Sequence, residues 1–271
     1  MLRVLILPFL LVFAPAEAQD AAALRARYAE LKEQLAKNAF GRPVHIESAV
    51  SGGSHKGQIY ALVEQPYSAV AQALVRPAHW CEIMTLQVNV KRCDASGEAA
   101  MTAFITRKPR DPVDAAQRVD FRFERATTSA DYLQVFVNAA SGPMGTRDYE
   151  MRAEAVPLDA RRTFIHLSYA YSLGLMARAA LDAYLSGAGR DKRGFSVDGG
   201  ERGVVERSAM RHYLAVEAYL SSEKDLEARL RSWYSATARY PQLREAVGLD
   251  EYVEMKLSEF RAALRPVDTL G

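Results

Sequence analysis

The chain divides by the period of its apolar residues. Between residues 44 and 171, short runs alternate apolar and polar positions, the period of two expected of a strand with one buried face. The clearest is Val119, Phe121 and Phe123 against Arg118, Asp120, Arg122 and Glu124. The same criterion predicts strands over Val44 to Val50, Leu86 to Lys91, Ala99 to Thr106, Leu133 to Val137 and Tyr149 to Ala155, with Gln58 to Glu64 apolar on both faces. Ser51 to Gly57 reads as a hairpin turn, since it lacks the GxxxxGK[ST] spacing of a phosphate-binding loop. Pro66 opens a helix carrying Tyr67, Val70, Ala71 and Leu74, and Ala78 to Met84 forms a short second one. The linkers between strands are too short for crossover helices, so an antiparallel meander with one wet face is expected.

The period changes within Arg162 to Leu185. Ile165, Leu167, Tyr169 and Tyr171 share one strand face, with Phe164, His166, Ser168 and Ala170 on the other. From Ser172, a residue suited to an N-cap, Leu173, Met176, Ala177, Ala180, Leu181 and Tyr184 recur at helical spacing, which predicts a helix with one buried stripe. Everything downstream keeps that period. Gly203 to Ser221 carries Val205, Ala209, Tyr213, Val216 and Leu220 on one side. Leu226, Leu230, Trp233 and Tyr234 mark a helix before Pro241, and Tyr252, Met255, Leu257, Phe260 and Leu264 mark another, entered at Asp250 and stopped by Pro266. Ahead of the strands, Leu24, Tyr28, Leu31 and Leu35 describe an amphipathic helix expected to pack on the domain.

Composition changes this picture in two places. Residues 1–18, MLRVLILPFLLVFAPAEA, have the basic start, apolar run and small-residue ending of a secretory signal peptide, with an apolar run too short to span a bilayer. A soluble periplasmic or secreted protein without stable membrane insertion is therefore expected. The two cysteines, Cys81 and Cys93, then read as a disulfide, with two buried free thiols as the alternative. Neither CxxC nor a close histidine pair suggests a metal. A net charge of +2 is too near neutral to indicate nucleic acid. The expected units are residues 1–18 (signal peptide), 19–43 (N-terminal helix), 44–221 (an α+β domain) and 222–271 (a helical annex).

The order of elements carries a resemblance. A strand, two short helices entered at a proline (GQIYALVEQPYSAVAQALVRPAHWCEIM), consecutive antiparallel strands and a closing helix after RTFIHLSYAY resemble the START-like helix-grip superfamily, over roughly residues 44 to 221. That resemblance implies an α+β fold in which a curved antiparallel sheet wraps a long C-terminal helix and encloses an apolar cavity. It also implies a hydrophobic small molecule or lipid as partner, and in some members cyclase-type chemistry. The gripped helix is either the segment after Ser172 or Gly203 to Ser221.

No GxSxG elbow or other catalytic constellation nominates a nucleophile, and no cofactor is indicated. Phe104, Phe121, Phe136, Tyr149 and Tyr169 are the expected cavity walls, together with Met176, or Met210 if the second helix is gripped. His166 is a candidate polar contact or base in that cavity, with a hydrogen-bonded structural histidine as the competing role. Three functions follow: an exported carrier or sensor of a hydrophobic molecule, a cavity-based enzyme of cyclase or hydrolase type, or a filled-core interaction module. The carrier needs a void of about 300 Å³ or more beside those aromatics.

Overall fold

The computed structural model describes residues 21–187, 189–190, 193–221 and 225–264; the expected signal peptide lies outside them. Among the described residues, eight strands form one sheet, β1 (Val44–Ser51), β2 (Ser54–Val63), β3 (Val90–Ser96), β4 (Ala100–Ile105), β5 (Gln117–Thr128), β6 (Leu133–Ser141), β7 (Thr146–Pro157) and β8 (Thr163–Leu173). Their order is β1-β2-β8-β7-β6-β5-β4-β3 and every neighbouring pair is antiparallel. The meander from β3 to β8 thus closes on the β1–β2 hairpin, as expected of an α+β helix-grip. Gly52 and Gly53, both at positive φ, make the two-residue hairpin turn, so β2 begins at Ser54 rather than beyond Gly57.

Among the described residues, seven α-helices accompany the sheet: α1 (Ala21–Ala36), α2 (Tyr67–Leu74), α3 (Pro77–Met84), α4 (Leu175–Ser186), α5 (Gly200–Ser221), α6 (Leu226–Ala238) and α7 (Leu249–Ala263). The concave face, which carries Ile165, Leu167, Tyr169 and Tyr171 of β8, packs with α5 into one core. The opposite face is covered by α1, whose Leu24, Leu31 and Leu35 form a separate cluster with Tyr60, Val156 and Phe164.

Two sequence expectations are corrected. Leu86 to Lys91 is not one strand, because residues 86–89 form a turn in which Val90 N–H donates to the Gln87 carbonyl oxygen. Leu86 and Val88 are buried there all the same, which accounts for their apolar alternation. Ser172 caps nothing either: β8 continues to Leu173, and α4 starts after Gly174 with no buried residue. Met176, at 84% exposed, faces water. The gripped helix is α5, where Val205, Ala209, Met210, Tyr213 and Val216 are all buried.

The contact between α5 and β2 is made possible by Gly57. A Cβ at that position would stand 3.0 Å from the Ala209 methyl and 3.0 Å from the Val205 carbonyl oxygen, so the helix rests on strand backbone. The helix start is fixed by Glu206, buried and accepting from Ser48 Oγ (2.6 Å), Ser196 Oγ (2.5 Å), Phe195 N–H (2.6 Å) and Ser196 N–H (2.8 Å). Gly57→Val should force the helix outward and destabilise the protein by about 1–3 kcal/mol in urea unfolding, whereas unchanged stability would show that the close seat is not required.

Candidate functional site

Inside the grip, Phe121, Tyr149, Tyr169 and Tyr171 form a continuous aromatic wall, with Phe121–Tyr149 centroids 6.4 Å apart and Tyr149 5.9 and 5.8 Å from Tyr169 and Tyr171. Tyr149 Oη is 2.7 Å from Thr146 Oγ1, which itself donates to the Pro143 carbonyl oxygen. Beside Tyr169 remains a void of about 30 Å³ bounded by Trp80, Met84, Met151, Ala209, His212 and Val216. That space is of the order of one or two waters. Among the described residues, this void between sheet and helix falls short of the expected ligand cavity of about 300 Å³, with aromatic rings and the close helix around it.

His212, on α5, is a polar group of this void. It stacks on Tyr169 at 4.8 Å, and its Nδ1–H donates to the Ser208 carbonyl oxygen at 2.8 Å. Burial pushes its pKa down, so it is a neutral imidazole at physiological pH. Only the three-dimensional neighbours reveal it, since no sequence spacing links His212 to Tyr169.

The remaining expected wall residues stand elsewhere. Phe104 and Phe136 lie on the face away from α5, under the Arg92 and Arg152 guanidinium groups, each 5.5 Å from the ring. Met176 is on exposed α4, while Met210 of α5 is fully buried in the grip core. His166 is also on the α1 face. Its Nδ1 is 2.8 Å from Glu154 Oε2, its Nε2 3.3 Å from Gln58 Oε1, and its ring stacks on Tyr60 at 4.4 Å. The buried Glu154 accepts from Tyr132 Oη at 2.6 Å as well. His166 is thus held in a closed structural network, the competing role recognised for it from the sequence.

A larger recess lies at the annex. Where α6 and α7 meet α3 and the β3 edge, a groove of about 280 Å³ is lined by Ala78, Leu226, Leu230, Phe260, Ala263 and Leu264. Phe260 and Leu264 are 49% and 69% exposed at its lip. The Cys81–Cys93 disulfide, with Cα atoms 5.1 Å apart, joins α3 to β3 and lines the same groove. The groove also contains Lys91, Lys256 and Glu259. Sequence periodicity placed Phe260 and Leu264 on the apolar side of a helix, and their exposure could be read only once α7 was placed. Among the described residues no cluster of histidine, cysteine or carboxylate side chains has the arrangement of a metal site.

No family model matches this chain, and no curated protein matches its sequence. Among solved structures, the chain is similar to a START superfamily protein from Mycobacterium smegmatis, at 11% identity over 62% of this chain and 99% of that one, TM-score 0.41. It is also similar to norcoclaurine synthase from Thalictrum flavum (12% identity, 65% and 100%, TM-score 0.40) and to Zhui aromatase/cyclase from Streptomyces sp. R1128 (15%, 69% and 96%, TM-score 0.38).

The Glu154 network has a pH signature. Burial pushes the Glu154 carboxyl up, but the hydrogen bonds from His166 and Tyr132 outweigh it and hold the pKa below its ordinary 4.5. A carboxylate with a depressed folded pKa contributes stability above its unfolded value, and that contribution is lost as pH falls through the folded value. Glu154→Gln should therefore lower stability by about 1–3 kcal/mol at pH 7 and flatten the decline below pH 4.5 in urea midpoints. An acid limb as steep as that of the parent protein would contradict this assignment.

Proposed function

We propose that this protein binds a hydrophobic small molecule, as a carrier or sensor, in the annex groove. The observation that carries the proposal is the groove itself, close to ligand size and walled by aliphatic and aromatic side chains, two of which stand exposed at its lip. Burying roughly 200 Å² of apolar ligand surface at about 25 cal/mol per Å² supplies roughly 5 kcal/mol toward the cost of association, so a polar contact would add to the affinity. The Cys81–Cys93 bond supports an oxidising compartment, periplasmic or extracellular, as the place of action. Among the described residues no helix is long and apolar enough to cross a membrane.

A second site is favoured by one specific observation. The void beside Tyr169 has a mostly apolar lining, with Ser168, Arg152 and the neutral His212 imidazole among its residues, suited to an apolar guest if α5 or α3 moves outward.

Two variants separate the sites. Ala263→Trp fills the annex groove from an exposed helix position, and Ala209→Val fills the void under α5. Displacement of a fluorescent apolar probe should weaken about tenfold or more in Ala263→Trp and stay unchanged in Ala209→Val, with melting temperatures confirming that both fold. The reverse pattern assigns binding to the grip, and no probe binding by the parent protein, together with no lipid in a solvent extract of it, removes the carrier function.

A further inference from the structure

The annex groove contains an unbalanced charge. Lys91 and Lys256, 5% and 4% exposed, both reach one carboxylate, that of Glu259, each through a different oxygen at 2.7 Å. Lys256 also donates to the Val90 carbonyl oxygen at 2.5 Å. Lys91 donates to the Pro109 carbonyl oxygen and lies 3.7 Å from Met255 Sδ. The other ions lining or bordering the groove are already matched, Arg92 with Asp94 at 2.8 Å and Arg229 with Glu82 at 2.5 Å. Two ammonium groups and one carboxylate therefore leave a surplus positive charge where water has little access. Burial pulls the Lys256 pKa below its ordinary range, against the opposing pull of Glu259 and with Lys91 adding to the depression. One N–H of Lys256 has no acceptor among the described residues.

A buried surplus cation is unfavourable until an anion approaches it, and here the approach is walled by apolar side chains. Resting on the groove as the binding site, we infer that its guest is an amphiphile with a carboxylate end, the tail against Leu226, Leu230, Phe260 and Leu264 and the carboxylate at Lys256 and Lys91. Glu259 then competes with the guest for the same two ammonium groups. Its presence keeps the empty groove stable and weakens the carboxylate it would admit, so its removal should tighten binding. A structural role for the cluster would give the opposite result.

Calorimetric titration of the full chain with octanoate, 1-octanol and acetate tests this. Octanoate should bind at least about tenfold more tightly than 1-octanol, as a charge-assisted contact implies, and acetate should not register. Glu259→Gln should tighten octanoate and leave 1-octanol unchanged. Lys256→Met should reduce octanoate to the level of 1-octanol; if that variant does not fold, Glu259→Gln decides alone. Equal binding of octanoate and 1-octanol, unchanged or weaker octanoate binding in Glu259→Gln, or acetate binding as tightly as octanoate would each overturn the carboxylate assignment while leaving the groove as an apolar site where 1-octanol still binds. Failure of both octyl compounds to bind removes the groove itself.

Discussion

The seat of α5 on β2 is the contact on which the rest of the structure depends. A strand position without a side chain, Gly57, meets a helix face of small residues at Ala209 and Val205, and the two backbones approach as closely as the atoms allow. Such an approach buries Ile59 and Ala61 of β2 and Tyr213 and Val216 of α5 together, but it also removes the space that a more distant helix would leave. The aromatic wall of Phe121, Tyr149 and Tyr169 completes the filling. A helix-grip need not enclose a ligand cavity, and among the described residues the void beside Tyr169 has room for little more than water.

The annex covers the far end of the sheet. The sheet ends at β3, and an uncovered edge would leave backbone groups without partners. Here α7 lies across that end: Tyr252 Oη donates to the Leu86 carbonyl oxygen at 2.5 Å and Lys256 donates to that of Val90. Hydrogen-bonding these carbonyls places a lysine deep in the structure, and the same helix carries Glu259 as its partner. The groove is the corner that α3, β3, α6 and α7 do not fill, and the disulfide holds two of its walls at fixed separation. Edge protection and the proposed ligand recognition would thus draw on the same side chains.

The strand order was legible because alternation is local: Val119, Phe121 and Phe123 show their buried face without reference to any neighbour. Parity along a strand also separates Phe104 from Met101 and Ala103, and Phe136 from Val135 and Val137, yet aromatic bulk alone placed both on the inner face. The same parity puts His166 opposite Leu167 and Tyr169. What sequence cannot contain is which of two apolar helices is gripped. The stripe of α4 is as apolar as that of α5, and the difference lies in the glycine across from α5, a long-range match that no periodicity expresses. The lysine cluster was hidden for the same reason, since Lys91 and Lys256 lie on elements far apart in the chain and nothing local links them.

The central claim, that ligand space has passed from the grip to the annex, is tested most directly by locating a bound apolar molecule. Intermolecular nuclear Overhauser effects from 1-octanol to the isotope-labelled full chain report its neighbours without presuming the site. The account expects cross-peaks to Leu226, Leu230, Phe260 and Leu264 and none to Met151, Leu167, Tyr169 or Val216. Cross-peaks to the second set and not the first would contradict it, placing the guest under α5 and showing that the close seat at Gly57 opens on binding.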